Sequence, residues 1–366
     1  MISTTVPSPI SMGRLTRVFL PALLLSAAVA GGASAQSLLS TMLFDRYADA
    51  LRVQAGIPGM SYVIVQNGNI AKANAFGFAN VEHSAPARTD TPYQIAGLTE
   101  ILTSTLILEQ CEETGHLSID DTIQRRAIAA PDPFMTIRDA LSHRSAAGTF
   151  KYDPNRFTAL TGVVEACIQK DLTPFRQALA QKIFDRWAMI DSVPAANVGD
   201  SSADDRTEFT PTKLSQYSSA LARTATPYRI VNGVPTLVVD VSNSVDAASG
   251  AISSVLDLAK FDLNLEAGDV LHRESMDEMW RPAVAANGAA MPTGLGWFVQ
   301  NYNGSVVYWQ FGNTPGYSSL ILKVPSLRIT LILLANSDGL SAGFPLQDGD
   351  VTTSLFARTF LKLFVG

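Results

Sequence analysis

Strand-like segments sit at both ends of this 366-residue chain, and helix-like segments fill the middle. Near the start, 61–65 and 70–76 flank Asn67-Gly68-Asn69, a sequence that favours a tight hairpin. Near the end come four more apolar segments, 295–301, 305–311, 318–324 and 330–335, with Asn303-Gly304 and Pro325-Ser326 marking two of the turns between them. One sheet assembled from both termini accommodates this order, with 96–290 as a mostly helical insert. Apolar spacing predicts a first amphipathic helix over 37–54, with Leu38, Leu39, Met42, Leu43, Tyr47 and Leu51 on its face. Further helices are predicted over 98–114, 137–141, 157–169, 173–188, 214–224, 255–265 and 273–280, and a closing one over 354–364. The expected class is α/β, more narrowly α+β. The sheet lobe comprises 36–95 and 291–366, and the helical lobe 96–290.

The extreme N-terminus reads differently. Arg14 and Arg17 precede the apolar run 18–30, and Ala33-Ser34-Ala35 follows. A basic start, a short apolar core and small residues at the cut describe a secretory signal peptide over 1–35, cleaved after Ala35. The core is short for a membrane span. The expected location is therefore secreted or periplasmic, with no transmembrane span after cleavage; an uncleaved anchor is the alternative. Removing Arg14 and Arg17 takes the formal charge from −6 to −8, so there is no electrostatic case for nucleic acid. The acids at 200–208 (Asp200, Asp204, Asp205, Glu208) read as a solvated loop. Cys111 and Cys167 both fall in apolar helical segments. Export permits a bridge between them, but two cysteines make no framework, and buried free thiols are the favoured reading.

The chemistry turns on one short stretch. Tyr93-Gln94-Ile95-Ala96-Gly97-Leu98-Thr99-Glu100 opens an apolar helix that closes on Gly115-His116-Leu117-Ser118-Ile119-Asp120-Asp121. Ile57-Pro58-Gly59-Met60 precedes this stretch, and Leu141-Ser142-His143-Arg144-Ser145, Gly294-Leu295-Gly296-Trp297 and Leu334-Ala335-Asn336-Ser337 follow it. In this order, over about 40–366, these segments resemble the serine β-lactamase and penicillin-binding-protein-like superfamily, in its class C and esterase-type branch. The resemblance implies an antiparallel sheet flanked by helices, a helical lobe, and a site in the cleft between them.

It also implies three catalytic motifs, and each is altered here. Ser-x-x-Lys starts the nucleophile helix in that superfamily. Residues three apart on a helix are neighbours, so the amine lies beside the hydroxyl that it activates. Gly97 stands at the Ser position and Glu100 at the Lys position. The second motif, Tyr-x-Asn, corresponds to Tyr152-Asp153-Pro154. Tyr152 is retained as candidate base, and Asn155 is a candidate to replace the lost amide. The third, Lys-Thr-Gly or His-Thr-Gly, corresponds to Gln310-Phe311-Gly312 before Asn313-Thr314-Pro315-Gly316. Only the backbone N–H groups of Gly97 and Asn313, the implied oxyanion pair, are independent of side-chain identity. An anionic ligand meets a negative charge where a cation is expected; at about 4 Å that repulsion is roughly 4 kcal/mol at an effective dielectric near 20. Useful β-lactam hydrolysis is not expected.

The motif has not moved elsewhere. None of the residues three before the eight lysines is Ser, and no Gly-x-Ser-x-Gly elbow occurs. Thr99 points to another side of the helix, and Ser104 lies two turns on. His83, His116, His143 and His272 are scattered, with no pair at ligand spacing; neither metal nor cofactor is expected, and His116 and His143 read as hydrogen-bonded structural groups. Three readings follow. The first is a non-catalytic protein that binds a small-molecule or peptide ligand in the interlobe cleft. The second is a hydrolase in which Gly97 vacates space for a water activated by Glu100 and Tyr152. The third is a conventional serine hydrolase with its nucleophile elsewhere.

Overall fold

The computed structural model describes residues 1–3, 5, 21–126, 128–168, 173–199 and 203–366. Most of the expected signal segment's start, including Arg14 and Arg17, lies outside the described residues, as do Gln169 and Asp200. The described residues form two compact units, Met1–Leu43 and Phe44–Gly366, and the sheet belongs to the second.

Chain order is α1 (Pro21–Gln54), β1 (Gly59–Gln66), β2 (Asn69–Asn80), β3 (Ala85–Pro86) and β4 (Tyr93–Gln94), then a 3-10 turn (Ala96–Leu98) leading into α2 (Thr99–Ile107). A π turn (Leu108–Glu112) ends that helix. Next come α3 (Ile137–Leu141), α4 (Pro154–Thr158), α5 (Leu160–Ile168), α6 (Phe175–Leu179), α7 (Ala203–Glu208) and α8 (Pro211–Leu221). The hairpin β5 (Tyr228–Val231) and β6 (Val234–Leu237), the short β7 (Ile252–Ser253), α9 (Val255–Ala267) and α10 (Arg273–Met279) follow. The chain closes with β8 (Phe298–Tyr302), β9 (Ser305–Thr314), β10 (Tyr317–Val324), β11 (Ile329–Ala335) and α11 (Leu355–Phe364).

The expected sheet forms. Seven antiparallel strands run β3-β2-β1-β11-β10-β9-β8, so the two chain ends meet where β1 pairs with β11. Asn67-Gly68 and Asn303-Gly304 turn with positive φ at both residues, as two-residue hairpins of right-twisting strands require. Both faces of the sheet are covered, which is why β10 and β11 read as nearly unbroken apolar runs. On one face Met60, Tyr62, Ile64, Leu331 and Leu333 pack with Phe44, Phe356 and Phe360 of α1 and α11. On the other, Val63, Ile321, Ile332 and Leu334 pack with the core of α2, α5 and α9.

Several expectations need correcting. The first helix buries Phe44 and Ala48 and leaves Leu38, Leu39, Met42 and Tyr47 exposed. Its face is set by the rings of Tyr62 and Phe360, edge-on to Phe44, not by the densest apolar stripe. Strand 295–301 begins at Phe298, because Gly296 turns with φ 77°. The acidic stretch is no solvated loop in its described part. Residues 203–208 are helical, and Asp205 is buried with Arg176 Nη1 at 2.8 Å. The cysteines are not free thiols: Cys111 and Cys167 form a disulfide with Cα atoms 5.6 Å apart, tying the π turn to α5. The hairpin β5–β6 has no counterpart in the sequence expectations.

Candidate active site

β4 pairs with β7, and Ile95 N donates to Ala251 O at 2.9 Å, which aims the chain into the 3-10 turn at Ala96. Ala96 has φ 47°, a left-handed conformation that costs a non-glycine residue on the order of 1–3 kcal/mol. His143, across the site, shares it with φ 51°. Strained backbone thus brackets the position where the superfamily places its nucleophile.

Here that position is in backbone contact with β9. A Cβ built on Gly97 would lie 2.4 Å from the carbonyl oxygen of Phe311 and 3.3 Å from the Tyr152 hydroxyl. A Cβ on Gly312 would lie 2.3 Å from Ser319 Oγ, 2.5 Å from Ile95 O and 2.8 Å from Gly97 N. The two glycines let the 3-10 turn and β9 approach more closely than any side chain permits. The position a side chain would take at Gly97 is therefore crowded by the Phe311 carbonyl oxygen of β9.

Glu100 is fully buried. Gln310 Nε2 donates to its Oε2 at 2.8 Å, His143 Nε2 lies 3.2 Å from the same oxygen, and the Tyr152 hydroxyl is 3.5 Å from Oε1. The partners are themselves held. Gln310 Nε2 also reaches Gly296 O at 3.2 Å, and its Oε1 accepts from Phe311 N at 2.9 Å. His143 Nδ1 accepts from Asp153 N at 3.2 Å, which leaves Nε2 as the nitrogen that donates to Glu100. Burial pushes the Glu100 carboxyl above the usual range, with the hydrogen bonds from His143 and Tyr152 pulling partly back. Burial, reinforced by the Glu100 charge, also pushes the Tyr152 phenol well up. At neutral pH Tyr152 is a protonated donor, the opposite of a base.

An aromatic cluster seals the group. Tyr152 lies 4.5 Å from the His143 ring, 5.1 Å from Phe311 and 5.9 Å from Phe298, centroid to centroid. Phe298 in turn stacks on Trp309 at 4.2 Å.

The fold thus brings together Gly97, Glu100, Tyr152, Gln310 and Gly312, spread over more than two hundred positions. Asn313 follows on β9 and is exposed. Asn155 does not restore the lost amide; its residue is exposed and its backbone N–H goes to the Asp153 carboxylate that caps α4. Three serines beside the site, Ser104, Ser319 and Ser341, donate to the carbonyls of Leu295, Ile95 and Gly312 at 2.6, 2.7 and 3.0 Å. His143 belongs to the site although its sequence reading was structural. Its position in Leu141-Ser142-His143 carries no spacing signal toward Glu100, 43 residues earlier. Among the described residues no cluster of His, Cys, Asp and Glu could hold a metal.

Sheet order, helical insert and the place of this glycine-bearing turn define a protein of the β-lactamase and penicillin-binding-protein superfamily. Residues 44–349 match the family profile described as Beta-lactamase, and the chain belongs to that family. It is 23% identical over 304 residues to Penicillin-binding protein 4* of Bacillus subtilis (strain 168), covering 75% of this chain and 67% of that protein. A class C beta lactamase from Rhodobacter sphaeroides superposes with a TM-score of 0.64 at 17% identity, covering 87% of this chain and 97% of that one. A D-amino acid amidase from Ochrobactrum anthropi SV3, complexed with L-phenylalanine amide, gives 0.65 at 19% identity, covering 90% and 97%. At these identities the two structures establish the fold.

Proposed function

We propose that this chain is an exported, non-catalytic member of its hydrolase family, acting by binding rather than by acyl transfer. One observation carries the reading: the space a nucleophilic side chain needs at Gly97 is filled by the backbone of β9, 2.4 Å from where its Cβ would start. The rest agrees. Glu100 replaces the activating amine and is out of reach of solvent. A buried carboxyl that already accepts from Gln310, His143 and Tyr152 is poorly placed to activate water, so the alternative of Glu100 and Tyr152 as a base pair has little support. A small-molecule or peptide ligand is expected at the exposed rim near Asn313 and not at Glu100.

Export is part of the proposal. It rests on the signal-like N-terminus and on the Cys111–Cys167 bridge, a bond that persists in oxidising compartments. Among the described residues no helix is long and apolar enough to cross a membrane.

The test is covalent labelling. Purified protein treated with a fluorophosphonate or a fluorescent penicillin is expected to keep its unmodified intact mass. A stoichiometric adduct would overturn the proposal. Ester or amide turnover that vanishes in Glu100→Gln would favour the carboxylate-base reading.

A further inference from the structure

The hairpin β5–β6 is largely exposed and has an unusual composition. Val231 and Val234 face each other directly across its turn, and they are 45% and 60% exposed. Strand alternation places them on one face with Arg229 and Thr236, and places Tyr228, Ile230, Pro235 and Leu237 on the other. Exposed ribbons usually carry charge against unwanted pairing; here Pro235 removes a donor from the free-edge strand, and the two valines that flank the exposed Asn232-Gly233 turn stay apolar.

Ile230, on the inner face, forms one wall of a groove of about 400 Å³. Leu51, Phe344, Leu355 and Phe356 form others, and Gln54 and Asp338 are its polar exceptions. One hairpin therefore carries the exposed valines on one face and lines an apolar trough with the other. Two unlike charges accompany them. Arg229 is exposed on the outer face of the hairpin, and Asp338 lines the groove. Neither side chain forms an ion pair among the described residues.

We propose that this surface pairs with itself in a second copy of the chain. The Val231–Val234 tip of each copy would enter the groove of the other, and Arg229 would meet Asp338 of the partner subunit. Adjacent knob and trough with complementary charges are what a two-fold interface requires, because each contact is then made twice. Pairing occurs through side chains and not by strand addition, since the proline blocks the edge.

Sedimentation equilibrium of the purified protein at high micromolar concentration tests this. The expected mass is twice that of one chain. Val234→Lys, at an exposed position, is expected to weaken association by at least roughly tenfold, or about 1.4 kcal/mol, with an unchanged circular dichroism spectrum. Arg229→Glu is expected to do the same, and Arg229→Glu combined with Asp338→Arg to restore the dimer. A single-chain mass at all concentrations overturns the proposal. So does a dimer indifferent to both single substitutions, or one that the charge swap fails to rescue.

Discussion

At position 97 a side chain would begin 2.4 Å from the Phe311 carbonyl oxygen, and the obstacle is backbone of an interior strand, which cannot swing aside. Gly97→Ser is therefore expected to destabilise by about 1–3 kcal/mol, the usual cost of overpacking, measured by urea unfolding. Even combined with Glu100→Lys it is expected to give no penicilloyl adduct by mass spectrometry. Glu100 makes a second prediction. Its folded proton affinity is raised by burial, so the native state holds a proton that the unfolded chain releases. That contribution is complete below the ordinary glutamate value of about 4.3 and declines as pH climbs through the higher folded value. Glu100→Gln keeps the shape and removes the titration. Between about 4.3 and the higher folded value its unfolding free energy is expected to fall less steeply with pH than the parent's; parallel profiles would refute the assignment. The positions of Gly97, Glu100, Tyr152, Gln310 and Gly312 were legible because their flanking motifs keep their order. His143 was not, because nothing local links it to a residue on another helix.

Among the elements, the π turn after α2 is joined to α5 by a bond that the sequence does not favour. Cys111 and Cys167 are 56 positions apart, and closing a loop of that length in the unfolded chain is worth about 4 kcal/mol. Replacing both cysteines by alanine is expected to lower stability by that order, read from denaturant midpoints with and without reductant. Two cysteines in apolar helices look the same whether free or paired; only the packing of the π turn against α5 distinguishes them. The hairpin β5–β6 was a missed signal. Asn232-Gly233 between Tyr228-Arg229-Ile230-Val231 and Val234-Pro235-Thr236-Leu237 is the pattern correctly read at Asn67-Gly68, and both residues have positive φ as at the other turns. The face of α1 went wrong for another reason. Periodicity gives the existence of a helix, but its neighbours choose which stripe is buried.

For the molecule as a whole, the sheet was the most legible feature, since apolar strands at both ends constrain topology strongly. The short signature segments prove to be joints of that architecture. Asn336 Oδ1 accepts from Gly59 N at 2.7 Å, and its Nδ2 donates to Phe78 O at 3.0 Å, so one amide fastens β1, β2 and the end of β11. Gly296 N donates to Leu141 O at 2.8 Å, joining two other signatures beside the site. These joints are untouched by the loss of polar groups at the site, which is why the family is readable where its chemistry is not.

The fastening of Gly59 to Asn336 spans 277 positions. On a ribosome adding roughly 5–20 residues per second, the first hairpin waits tens of seconds for the strand that completes it. During that interval the β1 edge is bare, and no local contact can substitute for a partner not yet made. The nascent sheet thus keeps one flank open until residues 329–335 emerge.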